Sequence, residues 1–308
     1  MSVPESSKKV RKIYHKIHEK RVKEKESLKR FIKIYSTEFF KLPKKYFVNK
    51  KVLDAGCGST GYFLIAMNKL GSKDLHGIDL GTEFINSTKK SLRNFNVPLN
   101  EITLKTGSVL KIPYEDNFFD FTCCNGVLPH LNSLKEVKKA MKELSRVTKP
   151  NGHMFISLGG SNSTAGLLEN AIIPSIRQYY DTNKNFKKFI DDLTPDDFSS
   201  IMDFISNKIK ENTNEKINLD RVKPLFDIDL CASIQDVLQT PLRLSFHENF
   251  IIDEYKKNGF KNIKQLKKYI ERNNIRKFTA PLHYYTNNKI SKMLYGSGYL
   301  EYIGKKIK

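Results

Sequence analysis

The chain has 308 residues, of which 39% are hydrophobic and 11% aromatic, so it can bury a substantial core and is not disordered as a whole. Lys and Arg outnumber Asp and Glu by 54 to 33, and the net charge is +21. That charge is compatible with an anionic partner, but lysine abundance along the whole chain produces it equally well. Because no run of about 18 apolar residues occurs and the first residues lack an apolar stretch behind a basic one, we expect neither a membrane span nor a secretory signal.

The first 45 residues are predicted to form a basic helical extension. Residues 7 to about 40 contain little Gly or Pro, and their apolar residues recur at helical spacing. Residues 1–50 hold 16 Lys and Arg against 5 Asp and Glu, a net charge of +11. Pro43 is expected to end the helix before the next element.

Strands and helices alternate from residue 51 to residue 158, which predicts a doubly wound α/β core over residues 46–159. Alternation at this pace indicates parallel crossover units with helices on both faces of one sheet. The predicted strands are Lys51–Ala55, Asp74–Asp79, Glu101–Thr106, Phe118–Asn125 and Gly152–Leu158, and the predicted helices are Gly61–Leu70, Glu83–Phe95 and Leu134–Val147.

Residues 160–245 interrupt this alternation and are interpreted as a helical cap insertion over the edge of the sheet. The helices predicted in the cap are Ala171–Tyr180, Asn185–Leu193 and Pro195–Lys210. Residues 246–308 are expected to complete the core. The elements predicted there are a helix at Glu248–Asn258 and two strands, near Asn262–Lys268 and Thr279–Tyr285.

The four cysteines give no sign of a disulfide framework or a metal site. Cys57, Cys123, Cys124 and Cys231 show no CxxC spacing, and no histidine cluster lies beside them. Free thiols of this kind are typical of a reducing compartment. We therefore predict a cytoplasmic protein without a bound metal.

A glycine-rich turn between the first strand and the first core helix is the strongest motif. Gly56, Gly58 and Gly61 would let a ligand approach the main chain closely, and the ligand could be a dinucleotide or a nucleoside. Asp54 lies at the end of the strand, where a carboxylate would repel a pyrophosphate but attract an ammonium or sulfonium group. Its charge therefore favours S-adenosyl-L-methionine over NAD.

A second acidic residue lies 21 positions after Gly58. Asp79 ends the next predicted strand, so its carboxylate can accept hydrogen bonds from both ribose hydroxyls of a nucleoside. An acidic cap at a strand-to-helix turn would have the same appearance. The glycine turn upstream favours the ribose role.

Residues 51–158 resemble the class I S-adenosylmethionine-dependent methyltransferases, in particular the broad group that acts on small molecules. The resemblance implies a Rossmann-like, seven-stranded, mostly parallel sheet whose last strand is antiparallel, with the cofactor across the carboxyl ends of the first, second and fourth strands. The stretches that carry it are Val52–Gly61, Ile78–Leu80, Thr106–Ser108, Asp116–Leu131 and Val147–Leu158.

The resemblance also implies which residues bind the cofactor. The methionine part would be held by the turn at Asp54, Gly56, Cys57, Gly58 and Gly61, the ribose by Asp79 and Leu80, the adenine by Gly107, Ser108 and Val109, and the methionine end by Asn125 and Gly126. The family often has an acidic residue in place of Ser108. We therefore expect a weaker side-chain contact with the adenine amino group.

Few side chains are candidates for acid–base chemistry, as expected for a methyl donor that is already activated. His130 follows the fourth strand and is the candidate catalytic base, although a histidine that only fixes its loop would occupy the same position. Tyr14, His15 and His18 on the N-terminal helix could close over the site, although a lone histidine on a basic amphipathic helix is usually a surface residue. Arg243 could pair with a carboxylate or phosphate of the acceptor, although a surface arginine is the default interpretation.

These features predict a methyltransferase whose small-molecule methyl acceptor is bound under the 160–245 cap. One alternative is an RNA or protein methyltransferase that uses the basic N-terminal surface, but no RNA-binding module is recognised. A second is an NAD-dependent oxidoreductase, which Asp54 disfavours. A third is a binding protein that has lost catalysis, and the intact glycine turn argues against it.

Overall fold

A computed structural model describes residues 14–15, 25–159, 164–213, 215, 217–240, 244–267, 274–284, 289–296 and 298–307. Its strands form one seven-stranded sheet in the order β3-β2-β1-β4-β5-β7-β6. The strands are β1 Lys51–Ala55, β2 Asp74–Asp79, β3 Ile102–Thr106, β4 Phe119–Asn125, β5 Thr148–Gly159, β6 Phe260–Gln265 and β7 Tyr299–Lys306.

Helices cover both faces of the sheet and build the cap. Those before the cap are α1 Lys25–Ile34, α2 Thr37–Phe40, α3 Tyr62–Lys69, α4 Thr82–Asn94 and α5 Leu134–Val147. The cap contains α6 Thr164–Thr182, α7 Lys184–Asp192, α8 Pro195–Thr213 and α9 Ile228–Gln239. The C-terminal part contains α10 Glu248–Lys257, α11 Ala280–Tyr284 and α12 Lys289–Tyr295. None of the helices in the described part of the chain is long and apolar enough to cross a membrane.

The sheet has the topology expected for the α/β core. β1 pairs in parallel with β2 and β4, whereas β7 is antiparallel to both β5 and β6. The predicted doubly wound, mostly parallel sheet is therefore confirmed. The strand order reverses between β1 and β4, and crevices at such a switch point open at the carboxyl ends of the strands.

The predicted last strand at Thr279–Tyr285 is wrong. Residues Ile275–Phe278 form a 3₁₀ turn and α11 follows it, with Pro281 in the first helical turn, where a missing N–H is harmless. The last strand is β7 instead. It lies between β5 and β6, so both of its edges are hydrogen-bonded.

The N-terminal helix is not continuous to residue 40 as predicted. α1 ends at Ile34, and Ser36 begins α2 by accepting a hydrogen bond from the Phe39 N–H at 3.1 Å. Serine competes for backbone donors in this way, which makes it a common start of a new helix. The resulting bend directs Phe40, which is 1% exposed, into the core.

The cap helices pack around their own small core and are tied to α1. Tyr180, Ile190 and Leu238 form the buried centre of the cap. An ion pair of 3.1 Å joins Arg30 of α1 to the almost buried Asp229 of α9. This contact links the N-terminal extension to the cap across the carboxyl edge of the sheet.

Candidate functional site

The glycine turn after β1 is shaped by packing at two glycines and leaves open space at a third. A Cβ on Gly56 would lie 2.2 Å from Val127 Cγ2, and one on Gly61 would lie 2.7 Å from Thr88 Cγ2. At Gly58, where φ is +62°, a Cβ would have no atom of the described residues within 4 Å. The turn therefore needs glycine for its own fold at both ends, and the described residues leave open space beside its middle glycine.

Asp79 is fixed against this turn. Its Oδ2 accepts a hydrogen bond of 2.8 Å from the Gly58 N–H, and its Oδ1 accepts one of 2.8 Å from the Leu80 N–H. Each carboxylate oxygen has a further lone pair. The carboxylate is therefore preorganised at the end of β2, where a ribose would lie.

Asp54 is buried beneath the turn, at 3% exposure and in register with Cys123 on β4. Burial, and next the nearby charge of Asp79, raise the pKa of Asp54 to about 8. The permanently charged carboxylate that the sequence suggested is therefore mostly protonated at neutral pH when no cation faces it. A cationic ligand would favour the ionised form.

The residues predicted to flank an adenine follow β3. Gly107 donates its N–H to the Asp79 carbonyl at 2.8 Å, which holds this turn beside the ribose position. Ser108 Oγ accepts a hydrogen bond from the Leu110 N–H at 3.1 Å, so it stabilises its own turn. Val109 is 7% exposed and belongs to the core under the turn.

Asn125 and Gly126 end β4 opposite the glycine turn. Gly126 has φ +71°, and a Cβ there would meet none of the described atoms within 4 Å. The Asn125 side-chain amide donates to the Tyr35 hydroxyl at 2.8 Å and to the Tyr62 hydroxyl at 2.6 Å. The two tyrosine rings stack with centroids 5.9 Å apart. Neither tyrosine was predicted from the sequence, because both are distant from Asn125 along the chain. Tyr35 follows α1, and Tyr62 begins α3.

A buried polar pair on β5 and β7 lies beside Asn125 across the sheet. Asn125 lies opposite Ser157 on β5, which lies opposite Glu301 on β7. Ser157 Oγ donates to Glu301 Oε1 at 2.9 Å, and Glu301 is only 1% exposed. Neither residue was predicted, since β7 itself was not recognised. Together with Tyr35 they form a polar wall beside the methionine end of the predicted cofactor site.

His130 lies in the 3₁₀ turn after β4 and meets the N-terminal segment and the cap. The Tyr14 hydroxyl is 2.8 Å from His130 Nε2, and the two rings pack edge to face with centroids 4.7 Å apart. Thr240, at the end of α9, has its Oγ1 3.4 Å from the same hydroxyl. The Leu244 N–H donates to the Pro129 carbonyl at 2.7 Å. Arg243 and His18 lie outside the described residues.

His15 contacts the opposite side of the same opening. Its Nδ1 is 3.3 Å from Ser59 Oγ of the glycine turn, and its ring packs edge-on against Phe84 of α4 at 5.5 Å. Two consecutive residues therefore bridge the glycine turn and the loop after β4. Within the described residues, no group of three or more His, Cys, Asp or Glu side chains is arranged to hold a metal ion.

The fold and this site define an α/β protein in which the glycine turn and the fixed Asp79 carboxylate lie at the carboxyl ends of the parallel strands. Residues 53–156, about a third of the chain, match the methyltransferase domain family. This part of the chain, from β1 to β5, is a methyltransferase domain with a Rossmann-like sheet.

The curated relatives compared with this chain each match less than half of it. The demethylmenaquinone methyltransferase of Staphylococcus haemolyticus is 27% identical over 144 residues, which are 46% of this chain and 52% of the relative. The ribosomal protein L11 methyltransferase of Fusobacterium nucleatum is 35% identical over 102 residues, 33% of this chain and 32% of the relative. The chain thus spans between about a third and a half of these relatives' lengths.

A solved structure of similar extent is a putative S-adenosylmethionine-dependent methyltransferase from Listeria monocytogenes. It is 15% identical, with a TM-score of 0.47, and the alignment covers 88% of this chain and 97% of the other.

Proposed function

We propose that the chain transfers the methyl group of S-adenosyl-L-methionine to a small-molecule acceptor. The observation that carries the proposal is the enclosure of the cleft by the chain itself. Tyr14 and His15 bridge the two sides of the opening, and the ion pair between Arg30 and Asp229 ties the N-terminal helix to the cap. An enclosed cleft excludes water and suits a small acceptor better than a folded macromolecule.

The residues of the cleft fit the cofactor. The described residues leave space over Gly58 and Gly126 for a ligand, and the fixed Asp79 carboxylate suits the ribose hydroxyls. Asp54 adds a buried carboxyl that can ionise opposite a cation. When bound, S-adenosylmethionine supplies an activated methyl group on a sulfonium. The protein then has to align and desolvate two reactants, which can contribute on the order of 7–11 kcal/mol.

The acceptor would lie between His130 and the polar wall formed by Tyr35, Ser157 and Glu301. A hydroxyl or amine nucleophile must lose a proton as it is methylated, and His130 is the candidate base for that step. Tyr14 would hold the imidazole in place through its 2.8 Å contact. The similarity to a demethylmenaquinone methyltransferase supports an acceptor of small-molecule size.

A macromolecular acceptor is the second candidate. The net charge of +11 in residues 1–50 and the similarity to a ribosomal protein methyltransferase both favour it. The contacts of Tyr14 with His130 and of His15 with Ser59 argue against it, because they cross the opening between the loop after β4 and the glycine turn. The NAD alternative receives no support, because residues 53–156 match a methyltransferase domain.

Titration calorimetry with S-adenosylmethionine, S-adenosylhomocysteine and NAD tests the cofactor first. We expect micromolar binding of the first two and none of NAD, and binding of NAD alone would overturn the proposal. Release of S-adenosylhomocysteine is then measured with a small-metabolite extract and, separately, with RNA and with protein depleted of small molecules. Turnover confined to the macromolecular fractions would favour the second candidate.

A further inference from the structure

Four lysines surround His153 at the amino ends of the parallel strands, on the edge of the sheet opposite the cofactor cleft. Lys305 on β7 lies directly opposite His153 on β5 and directly opposite Lys261 on β6. Lys264 is three residues further along β6, beyond an irregularity in the pairing, and lies opposite Ile303. Lys50 immediately precedes β1. We call Lys50, Lys261, Lys264 and Lys305 the amino-end lysine cluster.

The imidazole of His153 lies among these lysine charges, and its pKa is sensitive to them. Burial and then the charges of Lys305, Lys264 and Lys50 lower the pKa of His153 to about 4. The ring accepts or donates a 2.8 Å hydrogen bond at Nδ1 with the Tyr46 hydroxyl. Two strands and the segment before β1 therefore place positive charge around His153.

Little negative charge within the protein compensates this cluster. Lys50 is 3.9 Å from an Asp120 oxygen, and Asp120 also pairs with Lys149 at 3.2 Å. Among the described residues, no ion pair joins the other three cluster lysines to a carboxylate. Like charges directly opposite on antiparallel strands are destabilising. The pairing of Lys305 with Lys261 is therefore unfavourable unless a counter-charge comes from outside.

Protection of a sheet edge explains only part of this arrangement. Exposed lysines on an edge strand prevent the addition of another strand, and β6 is the edge of this sheet. That accounts for Lys261 and Lys264. It does not account for Lys305, because β7 has a neighbour on each side, or for Lys50, which lies outside the strands.

We propose that the amino-end lysine cluster binds the phosphate backbone of a nucleic acid without sequence preference. Lys261 and Lys264 lie opposite Lys305 and Ile303, which are two residues or about 7 Å apart on β7, so the cluster can face successive phosphates of one strand. β6 exposes none of the large apolar side chains that binding to a membrane surface would insert.

The cluster is remote from the cofactor cleft. From His153 to Ser157, which is level with the cleft, β5 runs four residues, or about 13 Å. A nucleic acid on the cluster would leave the cleft uncovered, so it would attach the enzyme to a site rather than supply the methyl acceptor. The inference is therefore independent of the proposed function.

The test measures binding of the full chain to a fluorescent 20-nucleotide single strand of mixed sequence by anisotropy, over a range of salt concentrations. The variant Lys261→Gln, Lys264→Gln, Lys305→Gln removes three charges from the cluster. The matched control Lys184→Gln, Lys188→Gln, Lys210→Gln removes three exposed lysines from the cap. Thermal melting of both variants reports folding, and we expect the cluster variant to melt no lower than the unmodified chain.

We expect the cluster variant to bind on the order of tenfold more weakly, with a salt slope shallower by about 2, while the control keeps the original slope. Cofactor affinity should be the same with and without saturating oligonucleotide. Equal losses in both variants would overturn the proposal, since binding would then follow net charge alone. Binding to phosphatidylglycerol vesicles but not to the oligonucleotide, or competition between oligonucleotide and cofactor, would overturn it as well.

Discussion

The buried carboxyl of Asp54 makes cofactor binding depend on pH. With a pKa of about 8, Asp54 is roughly 90% protonated at pH 7 when no ligand is bound. A sulfonium and an ammonium group nearby favour the ionised form, so binding of S-adenosylmethionine must first remove that proton. Ionising the group costs about 1.4 kcal/mol at pH 7 and about 2.7 kcal/mol at pH 6.

The free energy of ionising Asp54 determines two measurable quantities, the pH dependence of affinity and the number of protons released. Affinity for S-adenosylmethionine should rise about tenfold between pH 6 and pH 7 and level off above pH 8. Calorimetry in buffers of different ionisation enthalpy should record release of about 0.9 proton per site at pH 7 and about 0.5 at pH 8. S-adenosylhomocysteine lacks the sulfonium charge and should release fewer protons.

The control is Asp54→Asn, which preserves shape but cannot ionise. It should bind S-adenosylmethionine more weakly at pH 8 and show neither proton release nor the rise in affinity. Stability provides an independent check, because the raised pKa of Asp54 means that the folded state holds a proton that the unfolded chain releases. The free energy of unfolding should fall as pH rises from about 4 to about 8, and the variant should lose this component. A wild-type affinity that is constant from pH 6 to pH 7, or proton release that persists in the variant, would refute the reasoning.

Four further variants separate folding from ligand binding. Gly56→Ala should lower the free energy of unfolding by about 2–5 kcal/mol in denaturant titrations, because its φ of +96° and the overlap of its Cβ with a valine methyl both destabilise the fold. Gly58→Ala has only the cost of its positive φ, about 1–2 kcal/mol, yet should impair cofactor binding more. Equal effects of the two on melting would contradict this. Asp79→Ala should weaken cofactor binding by about 1.5–3 kcal/mol in calorimetry, and unchanged affinity would exclude the ribose role. The double variant Tyr14→Ala, His15→Ala should speed dissociation of S-adenosylhomocysteine roughly tenfold in stopped-flow experiments, and an unchanged rate would mean that these residues do not close the cleft.

The core of the fold could be predicted because its signals are local. The apolar runs at Lys51–Ala55 and Asp74–Asp79 are bounded by glycines and charges, and both strands have the predicted limits. β7 was missed because Thr279–Tyr285 offered a similar apolar run nearer to β6. Only tertiary pairing distinguishes the two, since β7 is stabilised by ladders on both sides.

The candidate site also contains some residues that a local sequence pattern predicts and others that no local pattern predicts. The glycine turn and Asp79 are readable because their spacing along the chain reflects one strand-turn-helix unit. The contact between Tyr14 and His130 joins residues 116 positions apart, and the one between Tyr35 and Asn125 joins residues 90 apart. No local pattern encodes such contacts. The raised pKa of Asp54 was likewise not predictable from the sequence, because burial depth is a property of the folded chain.

The position of β7 has a consequence for how the chain is made. β7 is the last strand in chain order, yet it separates β5 from β6. Until residue 306 has left the ribosome, β5 ends the sheet with an unpaired edge and β6 has no strand to pair with. The nascent chain therefore exposes the unpaired edge of β5, which can pair with another strand, throughout synthesis of the cap. A chain that stopped at residue 298 would lack β7, would leave that edge open permanently and would also lose Glu301, the hydrogen-bond partner of Ser157.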